Sequence, residues 1–301
     1  MIGLKFIFAM SFLSLSGLLV GATTPSHITP IVLDAMKQFS APSSMRLDQN
    51  PIHKDIIHIF KEKGLSKPFI QKLVNRIMER SSQAFMLPNN DRGDSLIKES
   101  FLKSQKTHKA PFSMALKAYR FDVIEDEDDF FNDDIFCYFF VTDGVIPQAH
   151  VSSIYKNIDQ GQSFFFHPND SSIFPPNGID RKGPQNHLIV DYGIVESDRG
   201  DIEELKRLSS AIVDIALVVY AAADPTTASL LIGLRKEVKH LASLLLDLGT
   251  DDRLAIGSII YTTDELEKAL EKRSIIPFYR VHEGRHYWSR WKYRIGFRLL
   301  R

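Results

Sequence analysis

The sequence predicts an α+β fold, in which a helical N-terminal part precedes an antiparallel β-sandwich that a helical hairpin interrupts. Apolar residues recur at helical spacing through much of residues 23–110. From about Phe112 onward they alternate with polar residues, as in strands that bury one face. Residues 201–248 return to helical spacing between two such strands. With 301 residues, of which 44% are hydrophobic, the chain can form one or two domains with a sizeable core.

Residues 1–22 have the composition of a secretory signal peptide. Lys5 provides a short positive start, residues 6–20 form an apolar run, and Val20-Gly21-Ala22 offers small residues for cleavage. A membrane anchor, the alternative, needs about 20 apolar residues, more than this run contains. The single cysteine, Cys137, excludes an intrachain disulfide, which suits an exported bacterial protein better than a secreted animal one. We therefore expect an exported protein, periplasmic or extracellular, without a transmembrane segment in its mature part.

The mature chain is predicted to begin with a helical domain over residues 23–110. Apolar stripes indicate helices over 28–39 and 51–63, and Gly64 ends the second of them. Ser66 has the position of an N-cap for a third helix.

The remainder, residues 111–301, is predicted to form the β-sandwich around the hairpin. Residues 167–186, rich in Pro, Asn, Gly and Asp, are expected to be loop, and residues 263–272 a short helix capped by Thr263. In the last strand, apolar residues alternate with Arg and Lys, which predicts one core face and one cationic face. The predicted strands are 116–124, 135–142, 149–155, 163–166, 187–195, 254–261, 275–281 and 286–299.

Carboxylates are concentrated in the turns of this predicted sandwich. Residues 122–134 read DVIEDEDDFFNDD, and further acids follow the strand at 187–195 and precede the strand at 254–261. If successive strands alternate in direction, four acidic turns fall at one end. Acids this dense repel one another, and a hard cation held by oxygen ligands would neutralise them. A solvated acidic turn is the alternative for the first loop, and capping of the following helix is the alternative for the second.

These acidic loops, together with the sequence DDRLAIGS at 251–258, resemble the C2-type β-sandwich over about residues 116–301. The resemblance implies that aspartates from loops at one end bind calcium, often next to a phospholipid. The hairpin at 201–248 departs from the usual layout of that family. In general character, the chain also resembles substrates of type II secretion in Gram-negative bacteria. The matching calcium ligands are Asp126, Asp128 and Asp134 in the first loop, and Glu196, Asp198 and Asp201 in the second.

Residues 272–301 combine many arginines and lysines with aromatic residues. A solvated cationic face of the last strand explains this composition without a ligand. Anionic lipid would also suit the segment, and nucleic acid is not expected as a partner of an exported protein.

Residues 282–286 read His-Glu-Gly-Arg-His and resemble the H-E-x-x-H signature of zinc metallopeptidases. On a helix this spacing places two histidines on one face for zinc, with the glutamate as general base. Strand-like flanks and the pair Glu283-Gly284 favour a hairpin turn instead, and no His, Asp or Glu follows His286 in the sequence as a third ligand.

The sequence therefore predicts a secreted binding protein whose acidic loops bind calcium, with phospholipid or a host protein as its partner. A zinc metallopeptidase acting through residues 282–286 and a metal-independent protein-interaction factor are the alternatives.

Overall fold

The computed structural model describes residues 28–41, 51–80, 112–125, 133–143, 147–175, 183–184, 187–197, 202–222, 253–286 and 289–301. The predicted signal peptide and the second helix of the predicted hairpin lie outside these ranges. Among the described residues, the helices are α1 (Ile28–Ser40), α2 (Pro51–Glu62), α3 (Lys67–Arg80), α4 (Pro168–Ser171), α5 (Ile202–Ala222) and α6 (Thr263–Lys272). The strands are β1 (Ala115–Glu125), β2 (Asp133–Thr142), β3 (Pro147–Val151), β4 (Tyr155–Ile158), β5 (Ser163–Phe165), β6 (Ser172–Phe174), β7 (His187–Ser197), β8 (Arg253–Thr262), β9 (Ile275–His286) and β10 (Ser289–Leu300).

Two antiparallel sheets form the centre of the fold. Sheet A has the order β5-β1-β10-β9, with β6 also paired to β1, and sheet B has the order β3-β2-β7-β8, with β4 also paired to β2. Strand alternation turns one face of each sheet toward a shared core, in which Phe121 and Ile295 of sheet A join Ile194 of sheet B. The α+β class predicted from the sequence is therefore confirmed.

The other face of sheet B is covered by helices. Phe136 and Phe140 of β2 belong to one buried cluster with Val32 of α1, Phe60 of α2 and Leu208 of α5. Ser66 caps α3, because its Oγ accepts a hydrogen bond from Phe69 N at 3.3 Å. None of the described helices combines the length and apolar character that crossing a membrane requires.

One predicted strand is split, and the predicted loop after it contains short elements. Residues 149–155 divide into β3 and β4, because Ser152 bonds to Cys137 through both its backbone N–H (2.8 Å) and its side-chain Oγ (2.9 Å). Residues 167–186, expected to be loop, include α4 and β6. Asp170 of α4 is buried, and its carboxylate accepts hydrogen bonds from Ser153 N at 2.9 Å and Tyr155 Oη at 3.0 Å. These bonds hold the helical turn against the end of β3.

Two local predictions are wrong. The cap of α6 is Thr262 rather than Thr263, because β8 extends to Thr262, whose Oγ1 accepts from Glu265 N at 3.2 Å. Glu283 and Gly284 lie within β9, paired with Lys292 and Trp291 of β10, so the hairpin turn predicted at Glu283-Gly284 is wrong. A Cβ at Gly284 would lie 2.2 Å from the Trp291 ring, so the glycine makes room for a tryptophan on the neighbouring strand.

Candidate anion-binding face

The outer face of sheet A brings cationic and exposed aromatic side chains together. In β10, Tyr293, Ile295 and Phe297 face the core, and Arg294 and Arg298 face outward, as the alternation of the sequence predicts. The neighbouring strands β1 and β9 also carry cationic and aromatic side chains on this outer face. The strongly exposed apolar side chains at the margins are Phe165 (66%), Ile275 (54%) and Val281 (51%).

The register of the strands arranges the outer-face residues in rows. Ala118 pairs with Phe297 and Arg120 with Gly296, so β1 has a bulge in which Tyr119 is the additional residue. The bulge allows Tyr119 and Arg120 to lie on the outer side together. One row across the sheet is Phe165, Arg120, Gly296 and Tyr279, and the next is Ser163, Asp122, Arg294 and Val281.

A hydrogen-bonded pair of tyrosines lies at the centre of this face. The hydroxyl of Tyr119 donates to that of Tyr279, and the two ring centroids are 6.0 Å apart in an edge-to-face arrangement. Gly296 lies beneath them, where a Cβ would be 2.9 Å from the ring of Tyr119. Burial and the bond to Tyr279 raise the pKa of Tyr119 to about 12, so its hydroxyl stays neutral at physiological pH.

Two arginines lie against these rings. The guanidinium of Arg298 is 4.0 Å from the ring centroid of Tyr119, and that of Arg294 is 5.1 Å from the ring centroid of Tyr279. Such cation–π contacts are worth about 0.5–1 kcal/mol each at exposed sites. They keep the guanidinium groups close to the sheet.

A buried carboxylate fixes the arginines further. Asp122, 4% exposed, accepts from Nε of Arg294 at 2.7 Å, from Nε of Arg120 at 2.5 Å and from Oγ of Ser163 at 2.6 Å. Burial alone would raise the pKa of Asp122, but these hydrogen bonds lower it below the ordinary value, so the carboxylate is ionised. We call this group the Tyr/Arg face; its residues are Tyr119, Arg120, Asp122, Tyr279, Arg294 and Arg298.

The strand ends that flank the predicted acidic loops lie at one end of the sheets. Asp134 at the start of β2 pairs with Ser197 at the end of β7, and Glu196 pairs with Arg253 at the start of β8. The turn after β4 lies at the same end, because Asp133 pairs with Ile158.

Two of the six predicted calcium ligands lie among the described residues. Asp134 lies opposite Ser197, and Glu196 lies opposite Ile135, which is a core residue. Alternation therefore places the carboxylates of Asp134 and Glu196 on opposite faces of sheet B. Asp134 Oδ1 accepts from Asn157 N at 3.1 Å, and Glu196 is fully buried. The other predicted ligands lie outside the described residues: Asp126, Asp128, Asp198 and Asp201.

Within the described ranges, no group of three His, Cys, Asp or Glu residues could hold a metal ion. Because four of the six predicted calcium ligands fall outside those ranges, the set remains a prediction.

The H-E-x-x-H sequence lies in a strand. Four residues along a strand cover about 13 Å, so His282 and His286 are not neighbours as they would be on a helix. Nε2 of His282 is hydrogen-bonded to Oη of buried Tyr192 at 2.8 Å. Burial, with the nearby charge of Arg280, lowers the pKa of His282. Glu283 is exposed and forms an ion pair with Lys292 at 3.1 Å.

Compared with protein-family models, curated proteins and solved structures, the chain matches none.

The sequence alone identified the cationic side of the last strand but not its partners from β1. Tyr119, Arg120 and Asp122 are separated from Arg294 by more than half of the chain, and only the β1–β10 pairing brings them together. A weak signal is present in the sequence, because the aromatic and cationic residues around Tyr119 occupy a segment that is otherwise apolar.

Proposed function

We propose that this protein is a binding module that docks on anionic phospholipid surfaces through the outer face of sheet A. The observation that carries the proposal is the Tyr/Arg face itself. Three arginines are held on the exposed side of one sheet, and Asp122 neutralises only one of their charges. With the predicted export signal, we place this activity outside the cytoplasm.

The exposed apolar residues beside the arginines favour a lipid surface over a nucleic acid. Single-stranded nucleic acids bind to aromatic platforms on which bases stack. Ile275 and Val281 are aliphatic and cannot stack on bases, but such side chains can enter the boundary between headgroups and acyl chains. Phe165, the most exposed of the aromatic residues described on this face, can do the same. Cations flanked by exposed apolar side chains are typical of proteins that bind membranes peripherally.

The expected strength is that of a reversible attachment. A basic residue near an anionic leaflet contributes about 1 kcal/mol, so Arg120, Arg294 and Arg298, with one charge offset by Asp122, contribute roughly 2 kcal/mol. Insertion of two apolar side chains, such as Phe165 and Val281, adds about 3–6 kcal/mol. The sum corresponds to a dissociation constant in the micromolar range or somewhat weaker.

Vesicle co-sedimentation of the full chain tests the proposal. We expect binding to phosphatidylcholine vesicles that contain phosphatidylglycerol, little binding to phosphatidylcholine alone, and weaker binding as salt rises. Arg298→Glu should weaken binding at least tenfold. Lys54→Glu makes the same change of charge at an exposed position of α2, on the other side of sheet B, and should not weaken binding. Equal effects of the two substitutions, or no binding to anionic vesicles, would contradict the proposal. Binding to a single-stranded oligonucleotide in place of vesicles would indicate a nucleic-acid partner.

A calcium site at the acidic end is a second candidate. It is favoured by the pairing that brings the starts of β2 and β8 and the ends of β4 and β7 to one end. If calcium binds there, calcium at about a hundred times its dissociation constant should stabilise the fold by roughly 2.7 kcal/mol over the chelated protein. The triple substitution of Asp126, Asp128 and Asp134 by Asn should abolish that gain. If the stabilisation by calcium were unchanged in this variant, calcium would bind elsewhere in the protein.

A further inference from the structure

We propose that Asp122 is the positioning residue of the Tyr/Arg face, and that the arginines it holds bind a phosphomonoester lipid headgroup. This inference rests on the proposed function and names the headgroup class that the face would take. It also makes a prediction that general electrostatic attraction does not make.

The geometry around Asp122 orients two guanidinium groups. One carboxylate oxygen accepts from Arg120 Nε and the other from Arg294 Nε. Because each arginine uses Nε for Asp122, its terminal amino groups are left for other acceptors. Arg120 Nη2 also donates to Ser163 Oγ at 3.0 Å, which fixes that side chain further. The side chains of Arg120 and Arg294 are still 36% and 38% exposed, so a ligand can reach them.

Fixing the arginines in advance favours the recognition of a phosphate. The planar fork of arginine matches phosphate oxygens, and a flexible arginine loses rotamer freedom when it binds. Asp122, Ser163 and the ring of Tyr279 restrict Arg294 and Arg120 before any ligand arrives. Less conformational freedom is then lost on binding.

The local charge can accommodate a phosphate with two negative charges. Arg120 and Arg294 with Asp122 leave one positive charge, and Arg298 and Lys117, paired in the neighbouring row, add two. A phosphomonoester carries about −1.5 to −2 at pH 7, whereas a phosphodiester carries a single charge. Coulomb attraction draws either headgroup to this face, and the fixed forks of Arg120 and Arg294 favour the monoester, because its terminal phosphate offers three strong acceptor oxygens.

The decisive experiment uses Asp122→Asn. This change removes a negative charge from the face, so simple electrostatics predicts tighter binding to anionic vesicles. The positioning role predicts the opposite. We expect the unmodified protein to prefer phosphatidic acid vesicles to phosphatidylglycerol vesicles of equal surface charge. Asp122→Asn should weaken binding to phosphatidic acid about tenfold and remove the preference.

Glu283→Gln is the matched control. It removes the same charge from an exposed carboxylate on the same side of sheet A, and Glu283 contacts Lys292 rather than the Tyr/Arg face. Its binding should be unchanged or up to roughly fivefold tighter. If Asp122→Asn binds phosphatidic acid as tightly as Glu283→Gln, the inference is wrong, although vesicle binding and the proposed function would stand. If the unmodified protein binds no anionic vesicle, the proposed function itself fails.

Arg294→Lys provides an independent test should Asp122→Asn prevent folding. Lysine keeps the positive charge but has neither the fork nor the Nε donor. We expect the preference for phosphatidic acid to disappear, with binding to phosphatidylglycerol retained within about twofold. A preference that persists in Arg294→Lys would overturn the inference. Circular dichroism and thermal unfolding of each variant establish that the fold is intact.

Discussion

The two sheets alternate apolar and polar residues in the same way, but their outer faces differ. On sheet B the outer face is apolar, with Phe136 and Phe140 buried under helices. On sheet A the outer face carries Arg294, Arg298 and the tyrosine pair, and it remains exposed. Both sheets contribute equally to the core between them. The comparison indicates that one outer face serves stability, and it leaves the other exposed for the binding that we propose.

The largest expected difference between the two faces is in stability. Phe140→Ala on sheet B should lower the free energy of unfolding by about 3–5 kcal/mol, because it leaves a cavity between the sheet and the helices. Phe165→Ala, the same change on the outer face of sheet A, should cost less than about 1 kcal/mol, because that side chain is mostly exposed. Chemical denaturation measures both. Similar losses in the two variants would contradict the division of roles.

Two glycines opposite aromatic rings give a smaller contrast between the inner and outer faces of sheet A. Gly284→Ala places a Cβ 2.2 Å from the ring of Trp291, which packs against the core, and should cost about 1–3 kcal/mol. Gly296→Ala meets the rings of Tyr119 and Tyr279, which can move toward solvent, so its cost should be lower.

The effect of Gly296→Ala should instead appear in the titration of tyrosine. Separating the two rings removes the hydrogen bond that helps raise the pKa of Tyr119 to about 12, so this pKa should fall toward 10. Ultraviolet absorbance against pH, with Tyr119→Phe as the reference, measures it. An unchanged titration would mean that the tyrosine pair does not depend on Gly296.

The sequence alone predicts most of the helices and strands, but it does not predict which strands pair. Helical periodicity identified α1 and α2, and alternation identified β1, β2 and β7 to within a few residues. The turn predicted at Glu283-Gly284 is wrong because glycine is typical of turns, whereas Gly284 serves the packing of Trp291. A local pattern cannot separate these two uses of glycine, since the second depends on a partner strand.

The candidate site shows the same limit. The sequence predicts that Arg294 and Arg298 lie on a cationic face, because alternation along the strand alone determines on which face of the sheet each side chain lies. The sequence pattern includes Asp122 in the acidic segment 122–134. Its carboxylate is instead held by Arg120 and Arg294 in the middle of a sheet. That role follows from β1 pairing with β10, a long-range contact that no sequence window contains.

The smallest expected effect is a difference between the two faces of sheet A in how their residues make stability depend on pH. On the inner side, burial lowers the pKa of His282 below its ordinary 6.5, so the unfolded chain binds a proton there more readily than the folded one. The free energy of unfolding that is present above pH 6.5 therefore decreases as the pH falls below 6.5. On the outer side, the folded pKa of Asp122 lies below its ordinary 3.8, so its contribution is complete above pH 3.8 and is lost as the pH falls from there through the lower folded value.

Denaturation at a series of pH values tests both windows. His282→Gln should reduce the loss of stability just below pH 6.5, and Asp122→Asn should leave that loss unchanged. His150, whose pKa is also lowered, chiefly by burial, should account for part of the slope that remains in His282→Gln. If Asp122→Asn alters the slope near pH 6 as much as His282→Gln does, the carboxylate does not keep its charge there. Its hold on the two arginines would then depend on pH in the range where we propose that the protein binds lipid.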